Sequence, residues 1–319
     1  MTRTKVSGGW VSWFFGLGLL VAVVMFATHY SEEMAFAHLM LHARPAWLLG
    51  ALLPQIGTYM TDARIWQRVL GRANISKPLR SYIGLGLAKL FMDQAIPSLG
   101  LSGTLLVIRA LDRRGVPRGA SMAAVVVDLV SYYSAYVLAL GIALGIAWLH
   151  GDLTPLMAVP AGIFAPLAAA VPLTLLWLSR GRALPRWLEG APFIRPALRA
   201  LRDATPAIAH DGLLIARCTG FQFAIFAFDA GTLWMMLMAL DLEVNPAPVF
   251  ASFMLSTLAR TLGVVPGGLG VFEAVSVATL NLIGVPVAAG LAATLLFRFF
   301  TFWLPMAPGL ILARREARG

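Results

Sequence analysis

The sequence has little charge and a single cysteine. Only 13% of its 319 residues are charged while 59% are hydrophobic, so the chain lacks the polar side chains with which a soluble protein covers its surface. Cys218 alone cannot form an intramolecular disulfide or a cysteine-based metal cluster. Segments of about ten residues with alternating hydrophobicity are also missing, which argues against a β-barrel. These absences predict an all-α polytopic membrane protein.

Long apolar runs occupy much of the chain. A helix needs about 20 apolar residues to cross a hydrocarbon layer of about 30 Å. About six full spans are predicted, at 10–27, 46–66, 118–149, 154–178, 213–240 and 287–313. The first follows basic residues, as a signal peptide does, but no small-residue cleavage site with a soluble chain comes after it. We interpret it as an uncleaved span.

Positive charge is concentrated in short segments. The net charge is +10, and 21 of the 25 Lys and Arg residues lie at 3–5, 64–80, 109–118, 180–217 and 314–318. The positive-inside rule places these segments in the cytoplasm, with both termini, and predicts a multi-pass protein of a bacterial-type cytoplasmic (inner) membrane. The acidic segments 30–44, 150–152 and 241–245 are predicted to face outward. Since topology and anionic lipid headgroups explain the basic loops, we do not expect nucleic acid as a partner.

Two apolar segments are interrupted in the middle. Segment 81–111 begins and ends beside cytoplasmic clusters, yet it breaks at Pro97-Ser98-Leu99-Gly100, and each half has about 15 residues, too few to span. Segment 247–283 follows an outward loop and breaks at Pro266-Gly267-Gly268-Leu269-Gly270. We therefore predict two re-entrant hairpins, one from each side of the membrane. Their backbone breaks or hinges are Pro97, Gly100, Pro266, Gly267, Gly268 and Gly270.

The two hairpins belong to a predicted internal repeat. An offset of 169 residues places Pro97 on Pro266 and the turn at 115–117 on the turn at 284–286. The repeats would cover 46–149 and 213–313 of a single integral membrane domain, 1–319, in inverted topology. A basic linker at 179–212 joins them, either as short helices on the inner leaflet or as a plain connector. Broken backbone at membrane depth predicts a cavity where the hairpin tips meet.

Ionisable side chains inside the apolar segments are the candidate functional residues, because each is costly to bury. Glu273 lies in the first turn after Gly270, and Arg260 or Arg298 could pair with it or bind a lipid phosphate; a structural salt bridge is the alternative. Asp128 could pair with Arg109 or Lys89, and Lys89 shares a helix face with Asp93. The predicted substrate-binding residues are Glu273, Arg260, Arg298, Lys89, Asp93, Arg109 and Asp128.

The sequence patterns that are typical of metal sites and enzymes are incomplete in this chain. His38 and His42 have a zinc-like spacing but no third ligand, so we expect no metal. The run Gly267-Gly268-Leu269-Gly270 lacks the Gly-Lys-Ser/Thr ending of a phosphate-binding loop. No Ser-His-Asp or Cys-His set is recognisable. We therefore expect no cofactor and no enzyme activity.

The second break carries a family motif. The segment Val265-Pro266-Gly267-Gly268-Leu269-Gly270-Val271-Phe272-Glu273-Ala274, followed by Arg298, resembles the signature of the lysylphosphatidylglycerol synthase/flippase transmembrane family. The segment 97–103 with Arg109 is similar to that family's first motif, although Ser102-Gly103 stands where an acid often follows the glycine. The resemblance covers essentially the whole chain. It implies a domain that moves lipids between leaflets, as in the multiple peptide resistance factor proteins, or that accompanies hopanoid, glycolipid or aminoacyl-lipid pathways.

The leading hypothesis is a lipid flippase or lipid transporter for a polar or phosphate-headgroup lipid. Arg260 and Arg298 would bind phosphate, and Glu273 would meet a cationic group or accept a proton. The sequence ends at Gly319, shortly after the last predicted span, so we expect no aminoacyl-transferase domain and no lysylphosphatidylglycerol synthesis. Two alternatives remain open: a non-catalytic membrane partner of a lipid-modifying enzyme, and an intramembrane enzyme acting on a lipid-linked substrate.

Overall fold

A computed structural model of the chain describes residues 42–96, 101–151, 155–180, 204–262 and 265–318, together with Gly18. Within these ranges every regular element is a helix. The α-helices are α1 Pro45–Gly50, α2 Leu52–Gly71, α3 Leu79–Ala95, α4 Leu101–Arg113, α5 Arg118–Leu149, α6 Pro155–Ser179, α7 Pro206–Ala209, α8 Gly212–Ala239, α9 Pro246–Leu262, α10 Val271–Leu282, α11 Val287–Arg298 and α12 Leu304–Arg318. A 3-10 turn, Pro266–Gly268, precedes α10, and a π-helical turn, Phe299–Trp303, joins α11 to α12.

Four of the described helices are long and apolar enough to cross a membrane. They are Arg118–Leu149, Ala158–Trp177, Gly212–Ala239 and the continuous helix Val287–Glu316. These four agree with four of the six predicted spans, and the chain is an all-α multi-pass membrane protein. The predicted span 10–27 lies outside the described residues.

The predicted span 46–66 takes a different form. It divides into the short α1 and the 20-residue α2, which extends to Gly71, and α2 is not among the four apolar spans. The reason is polar content, since α2 carries Gln55, Thr58 and Asp62 along its length. Helix α2 thus continues beyond the predicted span, past its first arginines.

Two apolar cores share the longest helices. One core is built mainly from α5, α6, α8, α9, α10 and α11, and the other mainly from α2, α3, α4, α5 and α8. On α5 the second core ends with Val130 and the first begins with Ala135. On α8 the buried Gln222 lies between Cys218 of one core and Phe226 of the other. Polar side chains therefore lie where the two cores meet.

One end of the molecule is rich in arginine. Arg72 forms a salt bridge of 2.7 Å with Asp211, the residue that caps the beginning of α8. Arg114, just after α4, pairs with Glu316 near the end of α12. The predicted linker is described only at its edges, at residues 179, 180 and 204–212, where the backbone N–H of Thr205 donates to Gly119 O at the beginning of α5. The helix ends that the sequence assigns to the cytoplasm thus lie together.

The helix ends that the sequence assigns to the outside also lie together. Arg44 forms a salt bridge of 2.5 Å with Asp241, and its backbone N–H donates to Ala239 O at the end of α8. A cavity of about 390 Å³ opens beside them, lined by His150 after α5, by the loop 242–245 and by the turn at 283–285. Helix α5, about 48 Å long by its 32 residues, connects the two ends.

Helices α3 and α4 form one broken pair, and α9 and α10 form another. Their outer bounds, 79–113 and 246–282, lie close to the predicted hairpins 81–111 and 247–283. The first break, 97–100, lies outside the described residues, so nothing follows for Pro97 and Gly100. Helix α3 contacts the 3-10 turn of the second break, and the side-chain amide of Gln94 donates to Thr301 O at 3.4 Å. The inner end of α3 therefore lies beside the second break.

Each broken pair ends in the same kind of turn. Gly115 (φ +72°) and Gly284 (φ +87°) adopt left-handed backbone, which favours glycine because it has no Cβ. After α4, the N–H groups of Gly115 and Val116 donate to Asp112 O and Leu111 O; after α10, those of Gly284 and Val285 donate to Asn281 O and Leu280 O. A proline then precedes the next helix, so both turns have the same conformation at an offset of 169 residues.

Candidate functional site

Charged side chains of the interior fall into three groups. The first is the pair of Glu273 and Arg298, which we call the Glu273 pair. The second is Arg260 with the nearby Asp229, which we call the Arg260 site. The third is Lys89 with Asp62, Asp93 and Asp128, which we call the Lys89 cluster. All of them come from helices that belong to the broken pairs or pack against them.

The Glu273 pair is almost completely buried. The side chains of Arg298 and Glu273 are 4% and 1% exposed, and Arg298 Nε donates to Glu273 Oε1 at 2.7 Å. The other carboxylate oxygen, Oε2, accepts the backbone N–H of Gly270 at 2.6 Å. Both oxygens of Glu273 are thus occupied by protein donors. Of the two partners that the sequence left open, Arg298 is the one in contact.

Arg298 is held on several sides. Its Nη2 donates to Gly267 O at 2.6 Å, and its Cζ lies 4.6 Å from the ring centre of Phe302 and 5.3 Å from that of Phe272. A guanidinium between two aromatic rings gains cation–π attraction while its hydrogen bonds are satisfied. Through Gly267 and Gly270 the pair fastens the Gly-rich turn from both ends. We call this arrangement, in which Glu273 and Arg298 hold Gly270 and Gly267, the clamp.

Two glycines of this turn are required by their neighbours. Gly267 (φ +59°) and Gly268 (φ +65°) both have left-handed backbone. A Cβ on Gly267 would overlap the ring of Phe302, and a Cβ on Gly268 would overlap the aliphatic stem of Arg260. The turn therefore determines how closely the Arg260 side chain can approach it.

Arg260, unlike Arg298, has no hydrogen-bond or salt-bridge partner among the described residues. It lies near the end of α9 and is partly buried, and it makes no hydrogen bond or salt bridge within the described part of the chain. It is nevertheless close enough to Tyr132, Tyr136 and Asp229 to interact with them electrostatically. A guanidinium carries five N–H donors, so Arg260 retains the capacity to bind an anion.

Asp229 of α8 is held in a polar network with α2. Its Oδ1 accepts from Gln55 Nε2 and from Thr58 Oγ1, each at 3.3 Å. Gln55 also donates to Thr232 Oγ1 at 2.9 Å. These neutral donors fix the carboxylate without cancelling its charge. Arg260 acts on this carboxylate electrostatically.

The Lys89 cluster joins three helices of the second core, α2, α3 and α5. Lys89 Nζ lies 3.4 Å from Asp128 Oδ2, and the other oxygen of Asp128 accepts the amide of Gln222 at 3.0 Å. Asp93 Oδ1 accepts the backbone N–H of Gly103 at 2.8 Å. Asp62 of α2 interacts electrostatically with all three of these charged residues. One ammonium thus faces three carboxylates.

Tyr132 connects two of the groups. It lies on α5 one turn after Asp128, and it is within electrostatic range of Arg260 as well as of Lys89 and Asp128. Arg260 also acts on Arg298. Within the described part of the chain, electrostatic interactions of Tyr132 and Arg260 thus link the three groups.

The structure brings some of the sequence-predicted residues into contact and leaves others apart. Arg109 is exposed on α4, and Asp128 lies 3.4 Å from Lys89 instead. Sequence reasoning missed Asp62 as a site residue, since it precedes Arg64 by two positions and looked like the cytoplasmic end of a span. Asp229 lies inside the predicted span 213–240, but only the packing of α2 on α8 reveals its network.

No group of His, Cys, Asp and Glu suited to hold a metal ion occurs among the described residues. His38 of the predicted histidine pair lies outside them. The cavity of about 390 Å³ lies at the end of the molecule that the sequence assigns to the outside, beside His150 and the loop 242–245, and not at the hairpin tips. A cavity between the tips stays a prediction.

Comparison with known proteins adds two findings. The family model described as "Lysylphosphatidylglycerol synthase TM region" matches residues 13–309. A phosphatidylglycerol lysyltransferase of Staphylococcus haemolyticus (strain JCSC1435) is 31% identical over 132 residues, which are 41% of this chain. The match spans only 16% of the length of that relative.

Proposed function

The chain belongs to the lysylphosphatidylglycerol synthase TM-region family, as the Gly-rich motif predicts, and we propose that it moves a polar or phosphate-headgroup lipid between membrane leaflets. In this proposal it acts as a lipid flippase or lipid transporter. The headgroup passes along the three charged groups of the interior, while the acyl chains stay in the bilayer.

The observation that carries the proposal is Arg260. A charged side chain inside a membrane protein is costly unless it is paired or hydrated. Arg298 and Lys89 have carboxylates within 4 Å, but Arg260 has none among the described residues. A phosphate offers the planar, bidentate acceptor that a guanidinium prefers. The partner of Arg260 is therefore supplied by the lipid.

The broken helices support movement of the headgroup. We propose that residues 46–149 and 213–313 are inverted repeats and that 81–111 and 247–283 are re-entrant hairpins from opposite sides. In support, the turns at 115–117 and 284–286 share conformation and hydrogen bonds, and α5 and α11 begin 169 residues apart. Inverted repeats with discontinuous helices bind substrate near the midplane and expose it alternately to each side.

The Glu273 pair has a positioning role in this proposal. Because its two side chains are buried and bound to each other, direct contact with lipid would require the clamp to open. By holding Gly267 and Gly270, the pair sets the shape of the turn on which Arg260 rests. This refines the sequence hypothesis, in which Glu273 and Arg298 contact the headgroup.

The arginine-rich end is proposed to face the cytoplasm. Residues from α2, α4, α5 and α12 meet there, and their basic side chains suit the anionic headgroups of an inner leaflet. The outward end then carries the cavity with His150 and Glu243. We infer a cytoplasmic membrane location from this arrangement.

Exchange of a fluorescent phospholipid between leaflets of proteoliposomes tests the function. We expect the wild-type protein to speed exchange above that of protein-free vesicles. Arg260→Gln should lower the protein-dependent rate at least about tenfold, because hydrogen bonds to a charged group contribute about 1.5–3 kcal/mol. Arg68→Gln, an exposed arginine of α2, is the matched control and should exchange as wild type does. Equal rates with and without protein would refute the proposal.

A second candidate is a non-catalytic membrane partner of a lipid-modifying enzyme. The match to a short part of a phosphatidylglycerol lysyltransferase favours it, since a family member there accompanies such an enzyme in one chain. This candidate predicts no exchange by the purified protein and co-purification with an enzyme that modifies phospholipid. The exchange assay separates the two.

A further inference from the structure

The Lys89 cluster is distinct from the Arg260 site, and it has more acidic than basic side chains. Asp62 lies on α2, Lys89 and Asp93 lie on α3, and Asp128 lies on α5. If all four are ionised, the cluster carries two more negative than positive charges. Buried charge of one sign without compensation is strongly unfavourable in a protein interior.

Two of the three carboxylates have their own compensation. Asp128 pairs with Lys89 and accepts the Gln222 amide. Asp93 accepts the backbone N–H of Gly103 in the first turn of α4, where the helix dipole favours a negative charge. A negative charge on either of these two acids therefore has a donor or cation in contact with it.

Asp62 has no such compensation. It makes no hydrogen bond or salt bridge with the described residues, and its Oδ2 lies against Gly86 of α3, where a Cβ would overlap it. The indole N–H of Trp66, one turn later on α2, is directed at this carboxylate but completes no hydrogen bond. Trp66 is 1% exposed. An unpaired donor beside an unpaired acid is a place for a water molecule, through which a proton can reach the acid.

We propose that Asp62 is the proton-binding site that couples lipid movement to a proton gradient. The inference rests on the proposed function for the coupling but not for the proton site. The titratable groups that face Asp62 are Lys89 and Asp93 of α3 and Asp128 of α5. Asp128 in turn acts on Cys218 of α8, and Gln222 of α8 donates its neutral amide to Asp128.

A proton suits the cluster better than a metal ion. The Lys89 ammonium already occupies the centre, and the described acids are not placed as a metal site. With a proton on Asp62, Lys89 is balanced by Asp128. When the proton leaves, Asp62 competes with Asp128 for the same ammonium, which shifts α2 and α5 relative to α3. Proton transfer thus changes the packing of the first broken pair.

Infrared difference spectroscopy tests the proton site without any lipid transport. In purified protein, a pH titration should show the carbonyl stretch of a buried protonated carboxylic acid. Asp62→Asn should remove that band, and Asp112→Asn, which changes an exposed acid of α4, should retain it. A band that is unchanged in Asp62→Asn would overturn the assignment, as would a wild-type spectrum with no such band.

Lipid exchange under an imposed gradient tests the coupling. We expect a pH gradient, and not a sodium gradient, to alter exchange by the wild type, while the rate of exchange by Asp62→Asn is the same with and without the pH gradient. A wild type that responds to sodium alone, or to neither gradient, would overturn the coupling. If the wild type exchanges no lipid at all, the proposed function fails, and the spectroscopic result alone decides the proton site.

Discussion

Arg260 and Arg298 have the same side chain and opposite surroundings. Both stand out in the sequence because a basic residue in an apolar segment needs a reason. Arg298 is buried between two phenylalanine rings and bound to Glu273, whereas Arg260 rests on Gly268, and no carboxylate of the described residues lies within salt-bridge distance of it. The sequence could identify both arginines as candidates. It could not assign their roles, because these depend on which helices pack together.

Breaking the Glu273 pair should destabilise the protein. Glu273→Gln leaves a buried guanidinium without its counter-charge, which costs about 3–5 kcal/mol in buried pairs. The double variant Glu273→Leu with Arg298→Met should recover much of that stability, because no buried charge remains, yet it should exchange lipid slowly, because the turn is no longer clamped. Thermal unfolding in detergent and the exchange assay measure the two effects. An unchanged unfolding temperature for Glu273→Gln would contradict the clamp.

Gly268→Ala should slow lipid exchange while the protein stays folded. The left-handed backbone costs an alanine roughly 1–2 kcal/mol, and the new Cβ displaces the stem of Arg260. Gly231→Ala on α8 is the matched control, because no neighbouring atom lies within 4 Å of its Cβ position. Exchange by Gly268→Ala at the wild-type rate would show that the position of Arg260 is unimportant.

At the scale of elements, the sequence predicted helix bounds well where turn residues define them. The two Gly-Val-Pro turns placed the beginning of α5 and of α11, and the broken segments agree with the observed pairs within a few residues. The predicted span 46–66 covers α1 and most of α2, and α2 continues past its first arginines to Gly71. Positive residues mark where a membrane ends and not where a helix ends, so charge alone could not predict that extension.

The two Gly-Val-Pro turns should respond equally to substitution. Gly115→Ala and Gly284→Ala each force alanine into left-handed backbone, which costs roughly 1–2 kcal/mol. Gly141→Ala, inside α5 with open space at its Cβ position, should not lose stability, since alanine is favoured in helices. Thermal unfolding of the three variants gives the comparison. Unequal losses at 115 and 284 would count against equivalent turns.

At the scale of the whole molecule, four basic residues stand outside the five basic segments of the sequence. They are Arg44, Lys89, Arg260 and Arg298. Three of them have an acid within salt-bridge distance, namely Asp241, Asp128 and Glu273. Arg260 is the exception in the described part of the chain, and it lies in the last turn of α9, the first helix of the second broken pair. The sequence predicted which charges are embedded, and only the fold distinguishes those that are paired.

Native mass spectrometry of the purified protein tests most directly whether Arg260 binds a lipid phosphate. The wild type and the Arg68→Gln control should retain a phosphate-headgroup lipid that Arg260→Gln loses. Thermal unfolding of the three proteins verifies that each of them is folded. Retention of the same lipid to the same extent by folded Arg260→Gln would contradict the account, because the guanidinium would then have no part in holding the headgroup.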